Sequence, residues 1–372
     1  MKYYIIAGEA SGDLHASNLL RELKVQDPSA KFRGWGGDLM ASQGCELARH
    51  YRDLDFMGFF EVALHLSTIL SNIRFCKEDI LAFAPDVLIL VDYPGFNLRI
   101  ARFAHKAGIK VFYYISPQIW AWHTSRIKSV KKNVDRMFVI LPFEKEFYEK
   151  YSFHVDFVGH PLLDCIKPMV ENLEDRQTFL SENHLDDKPM IALLPGSRKQ
   201  EIKAMLNTML KMVPRFPGYQ FVIAAAPSVD PEFYSSMVQS LPVRFVFRKT
   251  YPLLKHSEAA LVTSGTATLE TALMKVPQVV CYKGNVFSYL IARKLIKVNF
   301  ISLVNLIMNK QIVKELIQKD FNEKNLESEL RKLVENNQNR NRMLSDYEML
   351  VDKLGRQGAS EKAARKIIQY LQ

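Results

Sequence analysis

Short runs of consecutive apolar residues, each followed by a turn and then by an amphipathic stretch, recur along the first half of the chain. Tyr3–Ala7, Lys31–Gly34, Val87–Val91, Val111–Ile115 and Met137–Ile140 are predicted strands. An unbroken run such as Val87-Leu88-Ile89-Leu90-Val91 suits a strand buried on both faces, hence a parallel sheet covered by helices. The first run leads through Gly8 to Asp13 into a helix predicted from about Leu14 to Lys24, with Leu19, Leu20 and Leu23 facing inward. The second half restarts the pattern at Met190–Leu194, Phe221–Ile223, Val243–Phe247, Ala259–Val262 and Gln278–Cys281. The fold class is therefore α/β, with two doubly wound parallel-sheet domains joined near Gly159 to Pro168. From about Val313 the chain reads as helical and charged with no strand signal, and Asn336 to Asn339 reads as a loop between two helices. The expected division is 1–165, 166–340 and a helical 341–372, free to pack back on the first domain or to exchange with another subunit.

Composition narrows the class. The 372 residues are 48% hydrophobic and 24% charged, which sets disordered, collagen-like and coiled-coil classes aside. The formal net charge is +10, and it is unevenly placed: residues 1–180 balance 22 basic against 22 acidic, and residues 181–372 hold 28 against 18. That surplus fits either an anionic partner or a solvated helical surface. No recognisable nucleic-acid motif accompanies it, so no nucleic acid is expected. Cys45, Cys76, Cys165 and Cys281 stand singly, which excludes a zinc ribbon or dithiol site and suits a reducing compartment. The apolar start is too short for a signal peptide, and no apolar stretch reaches the roughly 18 to 20 residues that span a bilayer. Contact with a membrane would come from the side.

In a doubly wound sheet, ligands bind outside the carboxyl ends of strands, so the loops that follow strands are where chemistry is expected. Leu194-Pro195-Gly196-Ser197-Arg198 ends one strand and opens a helix near Gln200. Gly196 permits close backbone approach, the helix start offers N–H groups to an anion, and Arg198 can fork onto phosphate oxygens; the same residues also make an ordinary strand-to-helix turn. Ser264-Gly265-Thr266-Ala267-Thr268-Leu269-Glu270 follows another strand, its hydroxyls and N–H groups suiting a diphosphate and Glu270 a ribose diol. Its alternative is a capping sequence in which Thr266 or Thr268 satisfies helix amides. Neither loop is a Walker A sequence, no Gly-x-Gly-x-x-Gly follows a strand, and no Asp-x-Asp pair follows one, so no cofactor and no catalytic metal are expected.

In the first half, Glu9, Ser11, Gly12 and Asp13 stand at the end of the first strand, and Asp92 stands at the end of the Val87–Val91 strand. A carboxylate there can take a proton from an attacking hydroxyl, with an Asx cap beside Pro94 as the other role for Asp92. Asp13, just before Leu14, reads as a helix N-cap. His160 and His123 read as hydrogen-bonded structural residues. The stretch from Met57 to Phe75, with Phe59, Phe60, Leu64, Leu66, Ile69 and Leu70, is unusually apolar. It suits a membrane interface or acyl groove, or else a core helix packed on the sheet. Val286 to Lys297, with Arg293, Lys294 and Lys297, is a second candidate for an anionic lipid surface.

Taken together, Ala7-Gly8-Glu9-Ala10-Ser11-Gly12-Asp13, Met57-Gly58 with Glu61-Val62, Asp92-x-Pro94-x-Phe96-Asn97, Tyr114-x-Ser116-Pro117-Gln118-x-Trp120-Ala121-Trp122, Leu141-Pro142-Phe143-Glu144, Gly159-His160-Pro161, Leu194 to Arg198 and Ser264 to Glu270 resemble the lipid-A-disaccharide synthase family, in family order and over nearly the whole chain. The resemblance implies a glycosyltransferase of the GT-B arrangement. The donor nucleotide would lie on the C-terminal domain and the lipid acceptor largely on the N-terminal one. The implied reaction joins UDP-2,3-diacylglucosamine to 2,3-diacylglucosamine 1-phosphate (lipid X), giving a β-1,6-linked disaccharide 1-phosphate and UDP with anomeric inversion. It places activity on Asp92 and Arg198 and the ribose role on Glu270; Glu9 and Asp13 are alternate candidates for the base. Ser11, Gly12, Asn97, Gly196, Ser197, Ser264, Gly265, Thr266, Ala267 and Thr268 are expected to contact substrate. Asn305, in Ser302-Leu303-Val304-Asn305-Leu306, matches a donor-side motif, although Val304 stands where the family commonly has Pro. The expected setting is the cytoplasmic face of an inner membrane, as monomer or homodimer. A UDP-N-acetylglucosamine 2-epimerase and a non-catalytic UDP-sugar or lipid binder remain the alternatives.

Overall fold

The computed structural model describes residues 1–54, 66–122, 124–284 and 299–372. They form two compact units, Met1–Asp164 with Leu354–Gln372, and Cys165–Lys353. The first is built on a sheet of β1 (Lys2–Ala7), β2 (Lys31–Gly36), β3 (Glu46–His50), β4 (Val87–Val91), β5 (Lys110–Tyr114), β6 (Arg136–Val139) and β7 (Asp156–Phe157), in spatial order β3-β2-β1-β4-β5-β6-β7. Every pairing is parallel. All five residues of β4 are buried, as its unbroken apolar run requires when helices cover both faces.

Helix Ala10–Gln26 turns Leu19, Leu20 and Leu23 into the core and leaves Arg21, Lys24 and Val25 to solvent. Against it packs the last helix, Ala359–Leu371. Asp164 fixes that helix's start, accepting from the backbone N–H groups of Gly358 at 2.7 Å and Ser360 at 2.9 Å. Near its other end, Tyr370 donates to Asp156 at 2.9 Å, and Lys366 pairs with the same carboxylate at 2.7 Å.

The second unit repeats the plan with β8 (Met190–Leu194), β9 (Gln220–Ala225), β10 (Val243–Phe247), β11 (Ser257–Thr263), β12 (Gln278–Tyr282) and β13 (Lys314–Ile317), ordered β10-β9-β8-β11-β12-β13 and again parallel throughout. Strand β13 corrects the expectation of no strand beyond Val313. Among the described residues it is a sheet edge paired only with β12, and of its four residues only Leu316 is fully buried, so it lacks the apolar run that marks an inner strand. The Asn336–Asn339 loop is also shorter than expected, because helix Asn337–Lys353 starts inside it. That helix belongs wholly to the second unit, so position 341 falls within an element and the chain changes units at Leu354.

Of the residues expected to meet acyl chains, Met57, Phe59, Phe60 and Leu64 lie outside the described residues, as do Arg293, Lys294, Lys297 and His123. Leu66 opens helix Leu66–Phe83. Within it Ile69, Ile73, Phe75, Cys76 and Ile80 pack on the first unit's core, which is the core-helix role for this part of the stretch, while Leu70 is 58% exposed.

Candidate functional site

In each sheet the order reverses at one place, and there the loops leaving two neighbouring strands part to opposite faces and open a crevice. In the first unit the reversal falls between β1 and β4, in the second between β8 and β11. The loops singled out in the sequence are the ones that leave these four strands.

In the first unit, Gly8, Glu9, Ser11 and Gly12 after β1 and Asp92 and Tyr93 after β4 line one pocket. Tyr93 closes against Gly8, where an added Cβ would stand 2.3 Å from the ring, so the close approach of the two loops requires glycine. Asp92 and Tyr93 are consecutive non-glycine residues with positive φ, 45° and 49°. Left-handed backbone costs roughly 1–2 kcal/mol per such residue, and the surroundings hold it. The Asn97 amide donates to the carbonyls of Val91 at 3.2 Å and Asp92 at 2.7 Å, and the Tyr113 hydroxyl donates to the same Asp92 carbonyl. Pro94 then begins helix Pro94–Lys106, where its missing N–H costs nothing. Burial pushes the Asp92 carboxyl up to about 6, with the negative charge of Glu9 adding to the rise and a backbone N–H at Tyr93 opposing it. A carboxylate so tuned is ionised at neutral pH yet basic enough to accept a proton.

The expected residues are not equally placed. Ser11 is exposed at the pocket's rim, and Gly12 packs against β1, its Cβ position 3.3 Å from that of Ala7. Asp13 corrects two expectations. The helix begins at Ala10, so Asp13 does not cap it, and the carboxylate is buried and spent on three backbone N–H groups, those of Gly37 at 2.8 Å, Met40 at 3.0 Å and Leu39 at 3.1 Å. It anchors the start of helix Asp38–Ser42. Asn97 is fully buried with its amide committed to the turn at Asp92, so it supports the pocket from behind. His160 is hydrogen-bonded as expected: its Nδ1 accepts from the Leu162 N–H at 3.2 Å, and burial together with neighbouring His15 lowers it to about 3. Ser116, Trp120, Glu144 and Tyr148 gather into one buried cluster, in which Trp120 donates to Glu144 at 3.2 Å and the Ser116 and Tyr148 hydroxyls meet at 2.8 Å. Burial raises Glu144 to about 7.

In the second unit, Gly196 has φ 116°, which favours glycine, and the Ser197 N–H donates to Glu201 at 3.0 Å. A phosphate oxygen at that N–H would displace the Glu201 carboxylate. Arg198 is exposed at the N-cap position of helix Lys199–Met209 and makes no ion pair among the described residues. After β11, Gly265 and Thr266 are exposed, and no side chain caps helix Thr266–Leu273. The capping alternative therefore fails for Thr266 and Thr268: the Thr268 hydroxyl donates to the Gly265 carbonyl at 2.8 Å and leaves the helix amides free of side-chain acceptors. Ala267 is half-buried, and the hydroxyl of Thr263 is buried without a partner among the described residues. An uncapped helix start and an exposed Arg with no ion pair among the described residues thus follow the neighbouring strands β11 and β8, an arrangement that suits an anion.

Glu270 is half-buried one turn into that helix. Burial raises its carboxyl, and a hydrogen bond from Tyr251 opposes the rise. Asn305 departs from expectation. It is fully buried, and its side chain bonds the backbone of Ile312 at 2.7 Å, the backbone of Val313 and the Glu315 carboxylate at 2.8 Å. Glu315 gathers the Ile301 and Ser302 N–H groups at 3.0 Å and the Ser302 hydroxyl at 2.7 Å, and the Ser264 hydroxyl donates to the Ile301 carbonyl at 2.9 Å. Asn305 thus reaches the Ser264 loop through a network. Tyr113, Tyr251 and Glu315 were not legible as site residues; the one signal was a lone acid, Glu315, set between Lys314 and the apolar pair Leu316-Ile317.

The family model described as lipid-A-disaccharide synthetase matches residues 3–369. A lipid-A-disaccharide synthase of Syntrophus aciditrophicus is 40% identical over 367 residues, which are 97% of this chain and 95% of that protein. Among solved structures, a UDP-GlcNAc 2-epimerase from Neisseria meningitidis bound to UDP-GlcNAc shares the fold with a TM-score of 0.71 at 13% identity, over 99% of this chain and 100% of that one. The glycosyltransferase of kitacinnamycin does so with a TM-score of 0.65 at 12% identity, over 100% and 98%. Fold is shared with epimerases and glycosyltransferases alike; the full-length sequence match discriminates, and by it the chain belongs to the lipid-A-disaccharide synthase family.

Proposed function

We propose that this chain transfers the diacylglucosaminyl group of UDP-2,3-diacylglucosamine to the 6-hydroxyl of 2,3-diacylglucosamine 1-phosphate, releasing UDP and forming a β-1,6-linked disaccharide 1-phosphate. Asp92 takes the proton of the attacking hydroxyl as its oxygen bonds to the anomeric carbon, and the bond from that carbon to the diphosphate breaks with inversion. Arg198 and the N–H groups from Gly265 to Ala267 receive the charge that develops on departing UDP. Glu270 takes the ribose hydroxyls. The observation that carries this reading is the equipment of the two sheet reversals: a carboxyl raised to about 6 at one, and at the other an uncapped helix start with an exposed Arg that has no ion pair among the described residues.

Both substrates carry acyl chains, so the enzyme works at the cytoplasmic face of the inner membrane, held peripherally by the apolar segment that starts at Met57. No helix among the described residues is long and apolar enough to cross a membrane, and Leu70 is exposed on helix Leu66–Phe83. The test is UDP release from UDP-2,3-diacylglucosamine in detergent, with and without 2,3-diacylglucosamine 1-phosphate. Release that requires the acceptor supports the transferase; conversion of UDP-sugar without acceptor, or no release under either condition, overturns it.

A further inference from the structure

We infer that Tyr113 is a positioning residue for this transfer, its hydroxyl holding the Asp92 backbone in the one conformation that presents the Asp92 carboxyl to the pocket. The inference rests on the reading of Asp92 as the base.

Two adjacent left-handed residues ahead of a proline are costly, and relaxation of either φ to negative values would swing the Asp92 side chain away from Glu9 and Gly8. The Asp92 carbonyl is the point at which the turn is held. It accepts from the Asn97 amide at 2.7 Å, on the helix that follows, and from the Tyr113 hydroxyl, on the neighbouring strand β5. The first tether is local and moves with the helix. The second ties the turn to the sheet, where Tyr113 is fully buried among apolar residues and its strand pairs with β4 in register.

A phenylalanine would fill this core position as well as its neighbour Phe112 fills its own, and a buried hydroxyl is unfavourable unless bonded. What the hydroxyl adds is the bond to Asp92. Burial and the nearby Asp92 charge raise the phenol well above its ordinary value, so it remains a donor throughout the working pH range.

The test is Tyr113→Phe in the full-length enzyme, with kcat, both KM values, the pH profile of kcat/KM and Tm measured beside Asp92→Asn. The expected result is a fall in kcat of about 10- to 100-fold with both KM values within about twofold, since misplacement of a reacting group by about 1 Å costs on that order. The acid limb set by Asp92 shifts in the same variant. Added to Asp92→Asn, Tyr113→Phe costs nothing further, because both act through one group. A folded Tyr113→Phe enzyme with a lower Tm, wild-type kcat and an unmoved acid limb overturns the inference. Should Tyr113→Phe fail to fold, Tyr113→Met lacks the hydroxyl as well, and a folded Tyr113→Met enzyme with wild-type kcat and an unmoved acid limb overturns it equally. If Asp92→Asn itself turns over at the wild-type rate, the base assignment falls and takes the inference with it; if Asp92→Asn is inactive and Tyr113→Phe is unimpaired, the inference falls alone.

Discussion

Glu9 and Asp92 face one pocket from the ends of adjacent parallel strands, and the charge of Glu9 adds to burial in raising the Asp92 carboxyl to about 6. A base must be ionised to act, so kcat/KM is expected to fall as pH drops through about 6. Glu9→Gln removes the smaller cause of the rise and is expected to move that limb to lower pH by a fraction of a unit up to about one unit. An acid limb that Glu9→Gln leaves in place would separate it from Asp92.

The same raised carboxyl has a consequence for stability. Its folded-state value lies above the unfolded one, so the native state binds the proton more tightly, and stability from this group declines as pH rises from about 4 to about 6. Asp92→Asn is therefore expected to melt above wild type at pH 7.5, by on the order of a few degrees, with the gain vanishing near pH 4. Thermal melts at both pH values check this. A gain that is equal at both would remove the electrostatic explanation.

Arg198 is exposed and supports no packing, so Arg198→Ala is expected to leave Tm within about 1 °C while kcat/KM falls by about 100-fold or more, the range seen when one donor to a developing negative charge is lost. Arg198→Lys is expected to recover only part of this, because an ammonium lacks the fork that meets two oxygens at once. Unchanged kcat/KM in Arg198→Ala would remove it from the diphosphate site.

Glu315 joins Ser302 and Asn305 directly and, through the Ile301 segment, the Ser264 loop. Glu315→Gln keeps the size but loses the charge that gathers these donors, and replaces one acceptor by a donor. The expected outcome is a rise of about tenfold in KM for the UDP-sugar with the acceptor KM unchanged. Equal effects on both substrates would mark a general loss of structure.

Much of this was legible in the sequence. The strands found from apolar runs are the inner ones and β10, and the three that escaped, β3, β7 and β13, lie at sheet edges where half the pairing is absent and burial is partial. The four loops at the sheet reversals were visible because glycine, hydroxyls and single charges after a buried strand have few structural uses. What the sequence hid was the direction in which a short polar side chain turns. Asn97, Asn305 and Asp13 could each serve a ligand or a backbone, and in all three the backbone took them. Tyr113 and Tyr251 were hidden for another reason: each acts on a residue about 20 positions away, Asp92 or Glu270, a relation that exists only once the elements that carry them are packed side by side.

In the proposed reaction Asp92 does the chemistry without holding the donor. The most direct measurement is turnover and UDP affinity of Asp92→Asn, by UDP release and by calorimetric titration of UDP. The expected result is a loss of turnover of at least about 1,000-fold with UDP affinity within about twofold of wild type, since the variant keeps the shape of the side chain and removes its capacity to accept a proton. Turnover near wild type, or loss of UDP affinity in step with turnover, would contradict it.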